Sequence, residues 1–167
     1  MRQQQLIELY ALIHKRGDKF HGSSLGPHVE DIGKLIQETW SKTILDYGCG
    51  KGIYYKRDKI HEKWGVTPTL YEPALEEWSK KPEGTFDGVI CTDVLEHVFE
   101  PEKALPEIIG YAEKFCFLSI SCRPTAPWKV LGDGTPFHIS IHPPAWWLER
   151  IEPYRKDARI EVRFDVP

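Results

Sequence analysis

The residues of this chain with the clearest chemical potential are Asp46-Tyr47-Gly48-Cys49-Gly50, an acid followed by alternating glycines. The apolar run Thr43-Ile44-Leu45 leads into them and reads as a buried strand. Glycine lets a backbone turn sharply and approach a ligand closely. A helix from about Gly52 would aim its first amides at that ligand. This is the nucleotide-binding corner of a doubly wound α/β domain. It is not the dinucleotide fingerprint, because Ile53 holds the position of the third glycine in G-x-G-x-x-G counted from Gly48. A second acid, Glu72, follows about 26 residues after Asp46, near the ribose-acid spacing of nucleotide-binding βαβ units. One carboxylate accepts from both ribose hydroxyls at once. Each acid also has a plainer reading, Asp46 as a loop cap and Glu72 as a surface acid at a strand end.

Titratable residues gather further along. Asp93, Glu96 and His97 share a face if a helical turn starts at Asp93, by i, i+3, i+4 spacing. His138 and His142 belong to Phe137-His138-Ile139-Ser140-Ile141-His142, which reads as extended. On a strand, i and i+4 point to one face, so both imidazoles are expected to face one cleft. Histidine is the natural proton acceptor at neutral pH, and His97, His138 and His142 are the candidate catalytic bases. The plainer alternative is one cleft histidine and one satisfied core histidine. Trp128, Phe137, Trp146 and Trp147 are candidate walls of an apolar substrate pocket, or packing for a short helix on a sheet.

The acid-x-Gly-x-Gly corner resembles the first motif of the class I S-adenosylmethionine (SAM) dependent methyltransferases. Leu70-Tyr71-Glu72-Pro73-Ala74 is similar to that family's second strand end, and Phe86 to Val98 to its fourth strand and following loop. The three segments stand in the family's order and span roughly residues 43 to 121. The resemblance implies a Rossmann-like, mostly parallel sheet with SAM across the carboxyl ends of its strands. It implies cofactor contacts at Asp46, Tyr47, Gly48, Gly50, Glu72, Cys91 and Thr92. Asp46 would bond the methionine part and Glu72 the ribose. It also implies that the N-terminal segment Phe20-His21-Gly22 closes over the sulfonium. The expected reaction moves a methyl group to an oxygen or nitrogen of a small-molecule acceptor, without a metal. Acid-x-x-Glu-His with a later histidine also looks like the metal site of the 3′-terminal RNA 2′-O-methyltransferases, here Asp93, Glu96, His97 and His138 or His142. A SAM-binding protein that no longer catalyses is the third alternative.

At 167 residues the chain reads as one domain, with residues 1–41 as a helical cap and 42–167 as the core. A net charge of -3 gives no electrostatic reason to expect a nucleic-acid partner. Cys49, Cys91, Cys116 and Cys122 form no C-x-x-C pair, so a structural zinc site of that spacing is not expected. Without a visible secretory signal or a membrane-length apolar run, the expectation is a cytoplasmic protein with reduced thiols and no membrane partner.

The elements that must hold these residues follow from periodicity. Leu6, Leu9, Tyr10 and Ile13 share a helical face over 3–16, with Gly17 as a stop and a loop from Phe20 to Pro27. Val29, Ile32, Ile36 and Trp40 predict a second helix, buried along that face. One helix from about Gly52 would align Ile53, Ile60 and Trp64. Strands are predicted at 68–72, 86–91, 115–120 and 158–164. Helices are predicted at 102–112, with Pro106 tolerable only in its first turn, and at 143–151. Ala74 to Lys80 is at most a short helix, and only Lys81 to Thr85 separates it from the strand at Phe86, so the sheet is expected to be trimmed at its third-strand edge. Residues 122–136 form a long, proline-bearing loop, a candidate lid.

Overall fold

The computed structural model describes residues 3–15, 23–126 and 131–167. The expected cofactor contact Phe20, the pocket candidate Trp128, and the expected helix stop at Gly17 lie outside the described residues.

Five parallel strands form one sheet, in the order β2-β1-β3-β4-β5. They are β1 Ile44–Tyr47, β2 Thr69–Tyr71, β3 Phe86–Thr92, β4 Ala112–Ser121 and β5 Arg159–Asp165. Successive residues of each strand serve opposite faces, as the pleat requires. Ile44, Ile90, Phe115 and Phe117 pack on one side against α2 (Val29–Glu38) and α4 (Ile60–Trp64). Leu45, Val89, Cys91, Cys116 and Leu118 pack on the other against α5 (Pro101–Gly110) and α6 (Pro144–Ile151). Both faces are covered, which is why the central strands read as apolar runs. All four cysteines are buried free thiols.

The chain moves from β1 outward to β2, then crosses back to β3 on the other side of β1. The crevice at the carboxyl ends of β1 and β3 is therefore the switch point of the sheet. As expected, no third-strand equivalent follows β2. A single 3₁₀ turn, Glu76–Trp78, fills that span, and β2 is the edge. Three residues make a short edge, which offers little to pair with another chain.

Helix α1 (Gln3–Lys15) sits on a separate small core of Leu6, Ile13, Leu131 and Phe137. The described part of the long loop is thus packed against α1 through Leu131.

Four local expectations are corrected. Trp40 does not face inward. Helix α2 ends at Glu38, the chain turns at φ 53°, and Trp40 is 79% exposed. The single helix from Gly52 is two, α3 (Ile53–Lys56) and α4, broken where Lys59 adopts φ 48°. Ile60 and Trp64 are buried while Ile53 is only half-buried. Pro106 lies in the middle of α5, with Pro101 at its start. Pro106 has no N–H to give the preceding turn, and the burial of Leu105, Ile108 and Ile109 holds the helix instead. Residues 137–141 join no strand; their backbone is spent on the loop after β3.

Candidate functional site

The glycine corner is stitched to the end of β2. The amides of Gly48 and Cys49 donate to the Tyr71 carbonyl at 2.7 and 3.1 Å. Gly48, Gly50 and Gly52 have φ of 81°, 54° and 58°, conformations that side chains resist. A Cβ on Gly48 would lie 2.3 Å from Val94 Cγ2, so the loops after β1 and β3 touch at the switch point.

Both predicted acids sit at this corner. Asp46 is buried, and the Tyr55 hydroxyl donates to its Oδ2 at 2.8 Å. Burial pushes its carboxyl up to about 7, against the Tyr55 bond, and the nearby Glu72 adds to the rise. Glu72 Oε2 accepts from the Gly50 amide at 3.2 Å, and Oε1 accepts from the Ala74 amide at 3.1 Å. Burial raises its carboxyl too, with those two amides opposing. A SAM molecule carries an ammonium and two ribose hydroxyls, and two carboxyls beside close-approach glycines suit those donors.

The remaining predicted contacts divide by atom. Tyr47 packs its ring on Tyr71 and donates its hydroxyl to Glu107, so its side chain faces α5. Cys91 is in the core. Only main-chain atoms of these two remain for a cofactor. Thr92 Oγ1 lies 3.1 Å from Ser24 Oγ, and Ser24 also donates to the Thr92 carbonyl. Ser24, which sequence reasoning missed, ties the 3₁₀ turn Ser23–His28 over the end of β3.

Across the crevice, the chain leaves β3 through Asp93 at φ 53° into a 3₁₀ turn, Leu95–His97. Glu96 is fully buried. Its Oε1 accepts from the Ser121 amide at 2.9 Å, and its carbonyl accepts from the amides of Ile139 and Ser140. Its Oε2 has no hydrogen-bond partner among the described residues. Burial, then the charge of Asp93, pushes this carboxyl up to about 8.

His97 Nδ1 lies 2.8 Å from the Phe137 carbonyl and 2.8 Å from the Tyr10 hydroxyl, which itself donates to that carbonyl. A carbonyl only accepts, so Nδ1 carries the proton and Nε2 is the acceptor atom of the ring. Burial lowers this imidazole to about 4, with His138 adding to the fall, so it is neutral near pH 7. His138 repeats the pattern: its Nδ1 lies 2.7 Å from the Arg123 carbonyl. The two rings are 4.8 Å apart and nearly perpendicular. One ligand atom each from Glu96, His97 and His138 lies within 4.8 Å of the others.

The structure separates the other two candidates from this group. Asp93 accepts from Ser119 Oγ at 3.0 Å. His142 does not share the face of His138; it stacks on Trp146 at 3.7 Å, 9° from parallel. The segment after Phe137 is not a strand, so period-two alternation does not apply to it. The expected apolar pocket wall is also divided: Trp147 and Phe137 are buried in two different cores, and Trp146 carries His142. Tyr10, which orients His97 through its hydroxyl, is the second residue to which the sequence reading gave no place at this site, although its helical spacing with Leu6 and Ile13 put it on the inward face.

A family model described as a methyltransferase domain matches residues 14–150, from the end of α1 to the end of α6. That span holds every carboxyl and imidazole just described. The chain belongs to this methyltransferase family. With its parallel sheet and glycine corner it is a class I SAM-dependent methyltransferase. No curated protein matches it. Among the described residues of the methyltransferase, no helix is long and apolar enough to cross a membrane.

Proposed function

We propose that this methyltransferase moves the SAM methyl group to an oxygen or nitrogen of a small-molecule acceptor. The observation that carries the reading is the pairing of two carboxyls, Asp46 and Glu72, across a left-handed glycine loop at the switch point, with an imidazole pair on the β3 side. SAM supplies an electrophilic methyl on a sulfonium. Glu72 accepts from the ribose hydroxyls while keeping the loop amides, since each carboxylate oxygen has a second lone pair. Asp46, ionised, accepts from the amino group. Gly48 and Gly50 leave room for close main-chain approach.

The acceptor atom forms a bond to the methyl carbon as the carbon–sulfur bond breaks, and sulfur keeps the electron pair. The acceptor's proton passes to the Glu96–His97–His138 group, whose imidazoles present Nε2 lone pairs. Alignment contributes the largest part of the rate, up to about 7–11 kcal/mol in ideal geometry. A small acceptor fits because α1 covers His97 through Tyr10. The arginines Arg123, Arg159 and Arg163 are paired with Asp165, Glu38 and Asp31, which reduces their pull on a polyanion.

Calorimetric titration with SAM, its demethylated product and NAD tests the cofactor. Saturable binding of SAM and product, with NAD silent, is expected. Tight NAD binding with no response to SAM would overturn the reading.

A further inference from the structure

We infer that Glu96, His97 and His138 bind one divalent first-row transition cation. Two imidazoles and one carboxylate are the donor set that such ions take in open sites, with coordination positions left for water or substrate.

Three independent features support it. The first is convergence, with one donor atom per residue inside 4.8 Å. The second is Glu96 Oε2, a fully buried oxygen without a hydrogen-bond partner among the described residues. A buried acceptor left unsatisfied is costly, and a cation removes that cost. The third is the outer shell. Both imidazoles hold a backbone carbonyl at Nδ1, Phe137 for His97 and Arg123 for His138. Metal-bound histidines are oriented this way, with the second nitrogen donating to a carbonyl or carboxylate. Neither ring has its proton on the atom that would take the ion.

Donors about 2.0–2.2 Å from an ion must lie within about 4 Å of one another. The three donor atoms, all within 4.8 Å of one another, draw together around an ion, and His138 is the member placed to move. It is half-buried and on a segment outside the sheet, whereas Glu96 and His97 are fixed by the core and by Tyr10. Asp93 is turned to Ser119 and His142 to Trp146, so neither offers a donor atom to the ion.

The use of the ion in methyl transfer rests on the function proposed above; its binding does not. With an ion on the imidazole lone pairs those rings no longer take the acceptor's proton; a hydroxyl bound at an open position is made more acidic by the ion and gives its proton to water instead.

The test titrates untagged, chelator-stripped protein with Zn²⁺ and Co²⁺. Calorimetry reads stoichiometry, and the visible absorption of Co²⁺ reads nitrogen coordination. One ion per chain is expected, with Mg²⁺ failing to displace it. His138→Ala and Glu96→Gln should each weaken binding by more than the roughly 10–100-fold that loss of an outer-shell hydrogen bond costs. His142→Ala should bind as the native protein does. Circular dichroism checks each fold, and the half-buried His138 decides the matter if Glu96→Gln does not fold. No saturable ion, or unchanged affinity in His138→Ala, overturns the site. SAM titrated into the same samples separates the two readings. SAM binding without an ion refutes the metal site alone, and an ion without SAM binding refutes the cofactor reading alone.

Discussion

Replacing Glu72 with glutamine changes one atom type and tests the ribose anchor. The Glu72 carboxyl accepts from the amides of Gly50 and Ala74, one on each oxygen. A glutamine keeps one of those bonds and turns an NH₂ toward the other donor. A hydrogen bond to a charged group contributes about 1.5–3 kcal/mol, and a neutral one about 0.5–1.5. Water reaches the half-buried site, so the expected loss of stability is at the low end, about 1–2 kcal/mol. For a chain of this size that is a fall in Tm of about 2–8 °C. Each ribose contact weakens from charged to neutral, by about 1 kcal/mol. Two contacts give about 2 kcal/mol, or roughly 30-fold in Kd. Calorimetry on SAM and on its demethylated product reads the affinity, and circular dichroism reads the fold. Both ligands should weaken by the same factor, because both carry the ribose. A folded Glu72→Gln variant within threefold of native affinity would refute the assignment. Loss for SAM alone would show that Glu72 acts by charge on the sulfonium. Glu77→Gln, which removes an exposed acid nearby, is the control.

Three further outcomes are expected. Asp46, with Tyr55 and Glu72 facing it, has its folded value raised to about 7. The native state therefore binds more protons than the unfolded chain between about pH 4 and 7, and stability from this group falls as pH rises through that window. Urea midpoints of Asp46→Asn should lack that fall, and identical pH profiles for the two proteins would contradict it. Gly48→Ala should destabilise by about 2–5 kcal/mol, the sum of about 1–2 for a left-handed residue and about 1–3 for overpacking on Val94. The double variant Gly48→Ala, Val94→Ala should recover the overpacking part in urea unfolding. His142→Ala should leave SAM affinity unchanged and cost about 0.5–1.5 kcal/mol through its lost stack on Trp146, read from thermal unfolding.

The sheet and the cofactor corner were legible because their signals are local. An apolar run covered on both faces, an acid at its end and glycines beyond are adjacent in the chain, so spacing alone assigns the strand and the turn. The missing third strand was legible for the same reason, since the residues between Tyr71 and Phe86 leave no room for it. Failures came where neighbours distant in sequence decide. Trp40 fits the helical period of α2, but the helix stops at Glu38 and the chain turns to enter β1. Pro106 breaks a local rule that the apolar face of α5 overrides.

By itself, then, the sequence determined the fold class and the strand-end positions of Asp46 and Glu72, because those follow from short-range periodicity and from glycine's conformational freedom, while the family came from the resemblance of three motifs in order. The tertiary structure alone decided which of the later residues meet. It brings Glu96, His97 and His138 together, sends Asp93 to Ser119, and stacks His142 on Trp146. The physical reason is that residues 137–142 follow no repeating pattern. Their course is fixed by hydrogen bonds to Glu96, Arg123 and Tyr10. Those partners lie 15 to 127 residues away along the chain, a separation no spacing rule encodes.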